Sequence, residues 1–139
     1  MYIDTSVLVK LYVEEPDSEA CEAIVAGAPL VSSRLLRCEF RSALLSKVSR
    51  GIISAELMAE VWREFENSVA TREIHLVSLD DMVVQDAADL LDELGPTVPL
   101  RTLDALHLAT CLSLEAGSLF TKDVRMRQAA VQLGLPLAG

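Results

Sequence analysis

The sequence has few aromatic residues and few cysteines for its length. Its 139 residues include one tryptophan, two tyrosines and three phenylalanines, too few for the platforms on which single-strand-binding proteins stack bases. The three cysteines, Cys21, Cys38 and Cys111, are odd in number and far apart. They indicate neither a disulfide framework nor a zinc site, and we interpret them as buried thiols.

The chain also lacks an apolar run of the roughly 18–20 residues that a membrane-spanning helix requires. Asp4 lies where a signal peptide would carry its basic region, so we predict a cytoplasmic protein with no membrane partner. Hydrophobic residues make up 51% and charged residues 24%, a balance that excludes intrinsic disorder. The length predicts a single domain over residues 1–139.

Positive charge is scarce and unevenly placed. Twelve Lys and Arg oppose 21 Asp and Glu, a formal net charge of −9, which disfavours nucleic acid as a partner because phosphate contacts come from basic residues. Five basic residues nevertheless fall within residues 32–50, where Glu39 is the one acid, and three more surround Asp123. The total charge therefore does not exclude a local contact with a polyanion.

Short apolar segments alternate with segments of helical periodicity. The predicted strands are residues 2–4, 30–31, 74–77 and 119–121, with 135–137 as a further edge strand. Ser32 or Ser33 is the predicted N-cap of a helix that ends at Gly51, and Thr102 of one that ends near Gly117. The alternation predicts a three-layer α/β/α sandwich with a short central parallel sheet.

Four acidic residues lie at strand ends or on apolar helix faces. Asp4 and Asp123 each follow a predicted strand, where parallel sheets bind their ligands. Asp104 shares a narrow polar strip with His107 on a helix that is otherwise apolar, and Glu39 projects from the apolar side of its helix. Local roles are the alternative, since Asp4 and Asp123 could cap helices and Asp104 could interact with a helix dipole.

Several acids in one place would require a counter-charge. Two carboxylates about 5 Å apart repel by roughly 3 kcal/mol at an effective dielectric constant near 20, so a cluster has to protonate or bind a cation. Oxygen ligands favour Mg²⁺ or Mn²⁺ over zinc. Such an ion can activate water at a phosphodiester and stabilise charge on the phosphoryl oxygens.

Three further residues have two interpretations each. Lys47 and Arg50 continue the side of the helix that carries Glu39, so they could contact a polyanion backbone or merely complement the helix dipole. His107 lies three residues after Asp104, a spacing that permits metal ligation. The interpretation we favour for His107 is a hydrogen bond within the core.

Four segments together resemble the motifs of the PIN-domain nucleases, and most closely the small VapC-type toxins of prokaryotic toxin–antitoxin modules. These segments are Tyr2–Ser6, Glu39 early in a helix after the second strand, Leu103–Ala109 and Phe120–Asp123. The resemblance extends from Tyr2 to about Leu137. It implies a metal-dependent endoribonuclease that acts on RNA, works as a homodimer and is bound by a cognate antitoxin protein.

The resemblance also implies roles for individual residues. The acids that would hold one or two Mg²⁺ or Mn²⁺ ions are Asp4, Glu39, Asp104 and Asp123, with Asp4 and Asp104 as the principal ligands. Thr5, Ser6 and Thr121 would hydrogen-bond the carboxylates or ordered water. On the helix face alone, Lys47 and Arg50 are candidates for contact with the RNA backbone, with the helix-dipole role as the alternative.

Two other functions compete with this hypothesis. A PIN-like domain could act as a noncatalytic regulatory or scaffold module. A phosphotransfer receiver or a haloacid-dehalogenase-type phosphatase also has an Asp after a strand, but the phosphatase pattern expects a second acid two residues later, where this chain has Ser6.

Overall fold

Four short strands form the central sheet of the computed structural model, which describes residues 1–139. The strands are β1 (Tyr2–Ile3), β2 (Leu30–Ser33), β3 (Ile74–Val77) and β4 (Leu119–Phe120), in the order β3-β2-β1-β4. Every strand pair is parallel, as predicted. The expected edge strand over residues 135–137 is reduced to a single parallel bridge between Leu119 and Leu137.

Seven helices cover the two faces of the sheet. They are α1 (Thr5–Tyr12), α2 (Ser18–Val25), α3 (Leu35–Ser49), α4 (Ala55–Ala70), α5 (Asp81–Leu94), α6 (Thr102–Ser113) and α7 (Val124–Gln132). Successive strand residues point to opposite faces, so Tyr2 and Leu119 pack with α5, α6 and α7 while Ile3 and Phe120 pack with α1, α3 and α4. The predicted three-layer α/β/α sandwich is confirmed.

One predicted helix start is wrong, and the other is displaced by one residue. Ser32 lies in β2, where its buried hydroxyl donates to the carbonyl oxygen of Ile3 at 2.6 Å. Ser33 ends β2, and its hydroxyl accepts the backbone N–H of Leu35, the first residue of α3, at 3.2 Å, while Arg34 directly precedes the helix. Arg101, and not Thr102, precedes α6, where the Asp104 carboxylate accepts the Arg101 backbone N–H at 3.0 Å. α6 also ends at Ser113, before the predicted end near Gly117.

The cysteines follow the prediction at two of three positions. Cys21 and Cys111 are buried free thiols, and burial raises the pKa of Cys111 to about 12. Cys38 is exposed, because it lies on the solvent side of α3 between the buried residues Leu36 and Phe40. None of the helices combines the length and apolar character needed to cross a membrane.

Candidate active site

A cleft of about 400 Å³ opens where β1 and β4 end and where α1, α6 and α7 begin. Its lining residues are Asp4, Thr5, Ser6, Glu39, Arg101, Thr102, Leu103, Asp104, His107, Asp123, Arg125 and Met126. The four acids that the sequence singled out therefore line one cleft, together with Thr5 and Ser6. Thr121 is buried beneath it and contacts Asp4.

Asp4 is the most deeply buried acid of the cleft, with 4% of its surface exposed. Its Oδ1 accepts hydrogen bonds from the Ser6 hydroxyl at 2.6 Å and from the Val7 backbone N–H at 3.3 Å, and its Oδ2 accepts from the Thr121 hydroxyl at 2.7 Å. Burial raises the pKa of Asp4 despite these bonds, which act to lower it. Asp4 thus caps α1 and also belongs to the cleft.

The two hydroxyls that hold Asp4 have fixed directions. The Ser6 oxygen accepts the backbone N–H of Lys122 at 2.8 Å, and the Thr121 oxygen accepts the backbone N–H of Asp123 at 3.0 Å. Since each oxygen accepts a main-chain N–H, each hydroxyl proton is directed at Asp4. These contacts join the end of β1 to the end of β4 and keep the carboxylate in one orientation.

Glu39 projects from α3 into the cleft and is held through one of its two oxygens. Its Oε2 accepts from the Thr5 hydroxyl at 2.9 Å and lies 2.5 Å from Nε2 of His107. Burial raises the pKa of Glu39, but the neighbouring His107 and the hydrogen bond from Thr5 outweigh that effect and lower it. His107 is buried and hydrogen-bonded in the core, as its sequence position indicated.

Asp104 and Asp123 share a basic neighbour. Nη2 of Arg125 donates to Asp123 Oδ2 at 2.9 Å, and Nε of Arg125 lies 3.3 Å from Asp104 Oδ2. That Nε is buried and makes no hydrogen bond. Asp123 also caps α7 by accepting the backbone N–H groups of Arg125 and Met126 at 2.8 and 3.2 Å.

A family model of the PIN domain matches residues 1–132. The chain belongs to the PIN-domain family. It is 38% identical over 138 residues to Ribonuclease VapC46 of Mycobacterium tuberculosis, a match that covers 97% of this PIN domain and 93% of that protein. The resemblance to VapC-type proteins that the motifs suggested is therefore confirmed.

Solved structures share the architecture of this PIN domain at low sequence identity. VapBC2 of Rickettsia felis, bound to a DNA fragment from its promoter, aligns with a TM-score of 0.68 at 12% identity and covers 98% of this chain and 95% of that one. A toxin–antitoxin complex from Klebsiella pneumoniae aligns with a TM-score of 0.53 at 20% identity, covering 88% and 85% of the two chains. These two structural similarities show a common fold.

The donor chemistry of the PIN domain cleft suits a hard divalent cation. Carboxylate oxygens are the ligands that Mg²⁺ and Mn²⁺ prefer, and no protein group donates a hydrogen bond to Oε1 of Glu39 or Oδ1 of Asp104. In this arrangement, however, no three acidic, histidine or cysteine side chains converge closely enough to hold an ion. The guanidinium of Arg125 supplies the positive charge beside Asp104 and Asp123 instead.

The two cations proposed from the sequence do not line this cleft. Nζ of Lys47 lies 2.5 Å from Oε1 of Glu15, and Arg50 is exposed at the end of α3. Their contact with RNA stays a prediction. The cations that do line the cleft are Arg101 and Arg125, of which the sequence analysis noted Arg125 only as one of several basic residues near Asp123.

Proposed function

We propose that this PIN domain is a metal-dependent endoribonuclease that hydrolyses RNA phosphodiester bonds, and that it is the toxin of a toxin–antitoxin module. The observation that carries the proposal is the location of four carboxylates around one cleft, at the carboxyl edge of a parallel sheet. The name of the relative VapC46, a ribonuclease, supports the reaction class.

Asp4 and Asp104 would be the principal ligands of Mg²⁺ or Mn²⁺, with Glu39 and Asp123 as supporting ligands or as groups that position water. When bound, the ion supplies an activated water and stabilises charge that develops on the phosphoryl oxygens. The environment of Asp4 supports this role, because its buried carboxylate has no basic side chain among its hydrogen-bond partners. A cation in the cleft would provide the missing charge.

The side chains around the acids hold them for this chemistry. Ser6 and Thr121 fix both oxygens of Asp4, while Thr5 and His107 fix one oxygen of Glu39. The other oxygen of Glu39 is then available to accept a hydrogen bond, or a proton, from the attacking water.

Two guanidinium groups offset the negative charge of the cleft. Arg101 and Arg125 line it beside the four acids, and Arg125 is paired with Asp104 and Asp123. Arg101 is exposed, and its guanidinium can hold a phosphate through two parallel N–H donors. A chain with a net charge of −9 would then bind an RNA backbone at this point through Arg101 and the metal, and binding would weaken with added salt.

The proposed partners are an antitoxin protein and a second copy of the chain, in the cytoplasm. Support for an antitoxin comes from the structural relatives, since the Klebsiella pneumoniae structure is a toxin–antitoxin complex and the Rickettsia felis structure contains VapBC2. The homodimer follows from the resemblance to VapC-type proteins. Size-exclusion chromatography with light scattering, with and without a co-expressed antitoxin, measures both associations.

Cleavage of total cellular RNA by antitoxin-free protein tests the proposed activity. Reactions contain EDTA, Mg²⁺ or Mn²⁺ and compare the wild type with Asp104→Asn. The matched control is Asp86→Asn, which makes the same change at an exposed position of α5. We expect discrete fragments only with metal, in equal amounts for the wild type and the control. The cleavage rate of Asp104→Asn should fall by more than the roughly tenfold to hundredfold loss of metal affinity or activity that substitution of a supporting residue causes.

Two results would contradict this proposal. Undiminished cleavage by folded Asp104→Asn would show that the acid cleft takes no part in the reaction. A folded, metal-supplied wild type that cuts no RNA would favour the noncatalytic regulatory or scaffold module.

A further inference from the structure

Glu39 is the outer end of a series of buried hydrogen bonds that crosses the core to β2. Nε2 of His107 lies 2.5 Å from Glu39 Oε2, and Nδ1 of His107 lies 2.8 Å from the Tyr2 hydroxyl. The Ser33 backbone N–H donates to that hydroxyl at 3.1 Å. Tyr2 is fully buried and His107 is 2% exposed, so water does not compete for these bonds.

The Glu39 carboxylate accepts hydrogen bonds and donates none, so Nε2 of His107 is the donor in their contact. The ring is held at its other nitrogen by the Tyr2 hydroxyl at 2.8 Å, and the Ser33 backbone N–H in turn holds that hydroxyl. The main chain of β2 therefore helps to fix the orientation of a ring whose opposite nitrogen contacts Glu39.

The contact with His107 orients the Glu39 carboxylate. Nε2–H of His107 and the hydroxyl of Thr5 both donate to Oε2, so this oxygen is held from two sides. No protein group donates to Oε1, which is left for a ligand of the cleft. Without the His107 contact, the Thr5 hydroxyl would be the remaining hydrogen bond to this carboxylate.

We propose that Tyr2 and His107 are positioning residues: the Tyr2 hydroxyl holds the His107 ring, and the ring holds Oε2 of Glu39, so that Oε1 faces the metal or water of the cleft. The inference rests on the proposed function for the identity of the cleft's ligand. Tyr2 does not line the cleft, and it would act through His107. His107 would hold the Glu39 carboxylate without itself ligating the ion.

Removal of the Tyr2 hydroxyl is the first test. Tyr2→Phe keeps the buried ring and deletes the oxygen that contacts Nδ1 of His107. Tyr12→Phe is the matched control, since it removes the hydroxyl of the other tyrosine, which lies against α4 away from the cleft. Isothermal titration with Mn²⁺, without RNA, should show about tenfold weaker binding for Tyr2→Phe, the lower end of the usual effect of a supporting residue, and no change for Tyr12→Phe.

The ring nitrogens of His107 report on both hydrogen bonds directly. In ¹⁵N spectra of the wild type, assigned with the help of His75→Gln, we expect a proton on Nε2, where the ring contacts Glu39. In Tyr2→Phe the Nδ1 resonance should shift, and in Tyr12→Phe it should keep its wild-type position. A wild-type His107 without a proton on Nε2 would overturn the inference regardless of how any variant folds.

A pair of His107 variants separates positioning from packing. The amide of His107→Gln offers an oxygen to Tyr2 and an N–H to Glu39, whereas His107→Met offers neither. We expect His107→Gln to keep more of the Mn²⁺ affinity than His107→Met, and equal losses would overturn the inference. A wild type that binds Mn²⁺ no more tightly than Tyr2→Phe also overturns it, while a wild type that binds no Mn²⁺ overturns the proposed function and this inference together.

Discussion

The Arg125 side chain donates from Nη2 to Oδ2 of Asp123 at 2.9 Å and at the same time places its buried Nε 3.3 Å from Oδ2 of Asp104. Charge, and not a complete set of hydrogen bonds, therefore holds this guanidinium on the Asp104 side. A metal ion bound by these two acids would bring positive charge to the same place. Arg125 and the ion would then compete for the same two carboxylates.

Competition predicts that Arg125→Gln binds metal more tightly than the wild type. We expect a dissociation constant for Mn²⁺ that is lower by about fivefold, the small end of typical coupling between two ligands. Arg63→Gln is the control, because it makes the same charge change at an exposed position of α4. Weaker Mn²⁺ binding by Arg125→Gln in isothermal titration would mean that the guanidinium orients the acids for the ion.

Asp4→Asn should stabilise the metal-free protein at neutral pH. The pKa of Asp4 is raised above its ordinary value of 3.8 by burial, so the cost of ionising it in the fold is absent at low pH and complete once the pH exceeds the raised pKa. We expect the variant to gain about 0.5–2 kcal/mol in EDTA at pH 7.5, with a smaller gain near pH 4. A lower melting temperature than the wild type at pH 7.5 contradicts the electrostatic argument.

Glu15→Gln should destabilise the protein at neutral pH and not at acidic pH. Glu15 lies 2.6 Å from Nζ of Lys10 and 2.5 Å from Nζ of Lys47, and these bonds lower the pKa of Glu15 below its ordinary 4.5. The stabilisation is present above that ordinary value and is lost as the pH falls through the lowered pKa. Urea unfolding should show a loss of about 0.5–1 kcal/mol at pH 7.

The control for this substitution is Glu14→Gln, at the exposed neighbouring position. Its free energy of unfolding should equal that of the wild type at both pH values. An undiminished effect of Glu15→Gln at pH 3 would show that the ion pairs are not its cause.

Arg101 and Lys47 provide opposing predictions for RNA binding. Arg101 is exposed and lines the cleft, whereas Lys47 is paired with Glu15 outside it. We expect Arg101→Gln to raise KM for RNA and to reduce the slope of binding against salt concentration by about one, with a smaller change for Lys47→Gln. A larger effect of Lys47→Gln than of Arg101→Gln would favour an RNA contact at Lys47, on the side of α3 that carries Glu39.

The fold could be predicted from the sequence because local patterns agree with the tertiary structure. Apolar strands such as Ile74–Val77 alternate with helices, and parallel pairing follows from that alternation. Serine suits both strand ends and helix caps, and Ser33 does both, since it ends β2 and its hydroxyl accepts the Leu35 N–H of α3. Ser32 belongs to the strand alone, and the contact that decides this, from its hydroxyl to Ile3, joins residues 29 apart in sequence.

The location of the two acids at strand ends could be predicted, because it follows from the order of strands and helices along the chain. Asp4 and Asp123 follow strands of one parallel sheet, so their common edge is a consequence of topology. The bond from Tyr2 to His107 spans 105 residues and the one from His107 to Glu39 spans 68, and no local pattern specifies either. Lys47 illustrates the same limit, because its partner Glu15 lies 32 residues earlier.

The most direct test of the account is one Mn²⁺ titration with two readouts on the same protein. Binding is measured calorimetrically, and the rate of RNA cleavage is measured over the same metal concentrations. If the acid cleft holds the ion required for cleavage, the midpoints of the binding and cleavage titrations coincide in the wild type. Both midpoints then shift together in Glu39→Gln. Cleavage that persists in EDTA, or a cleavage midpoint that stays in place while the binding midpoint moves, would contradict the central claim.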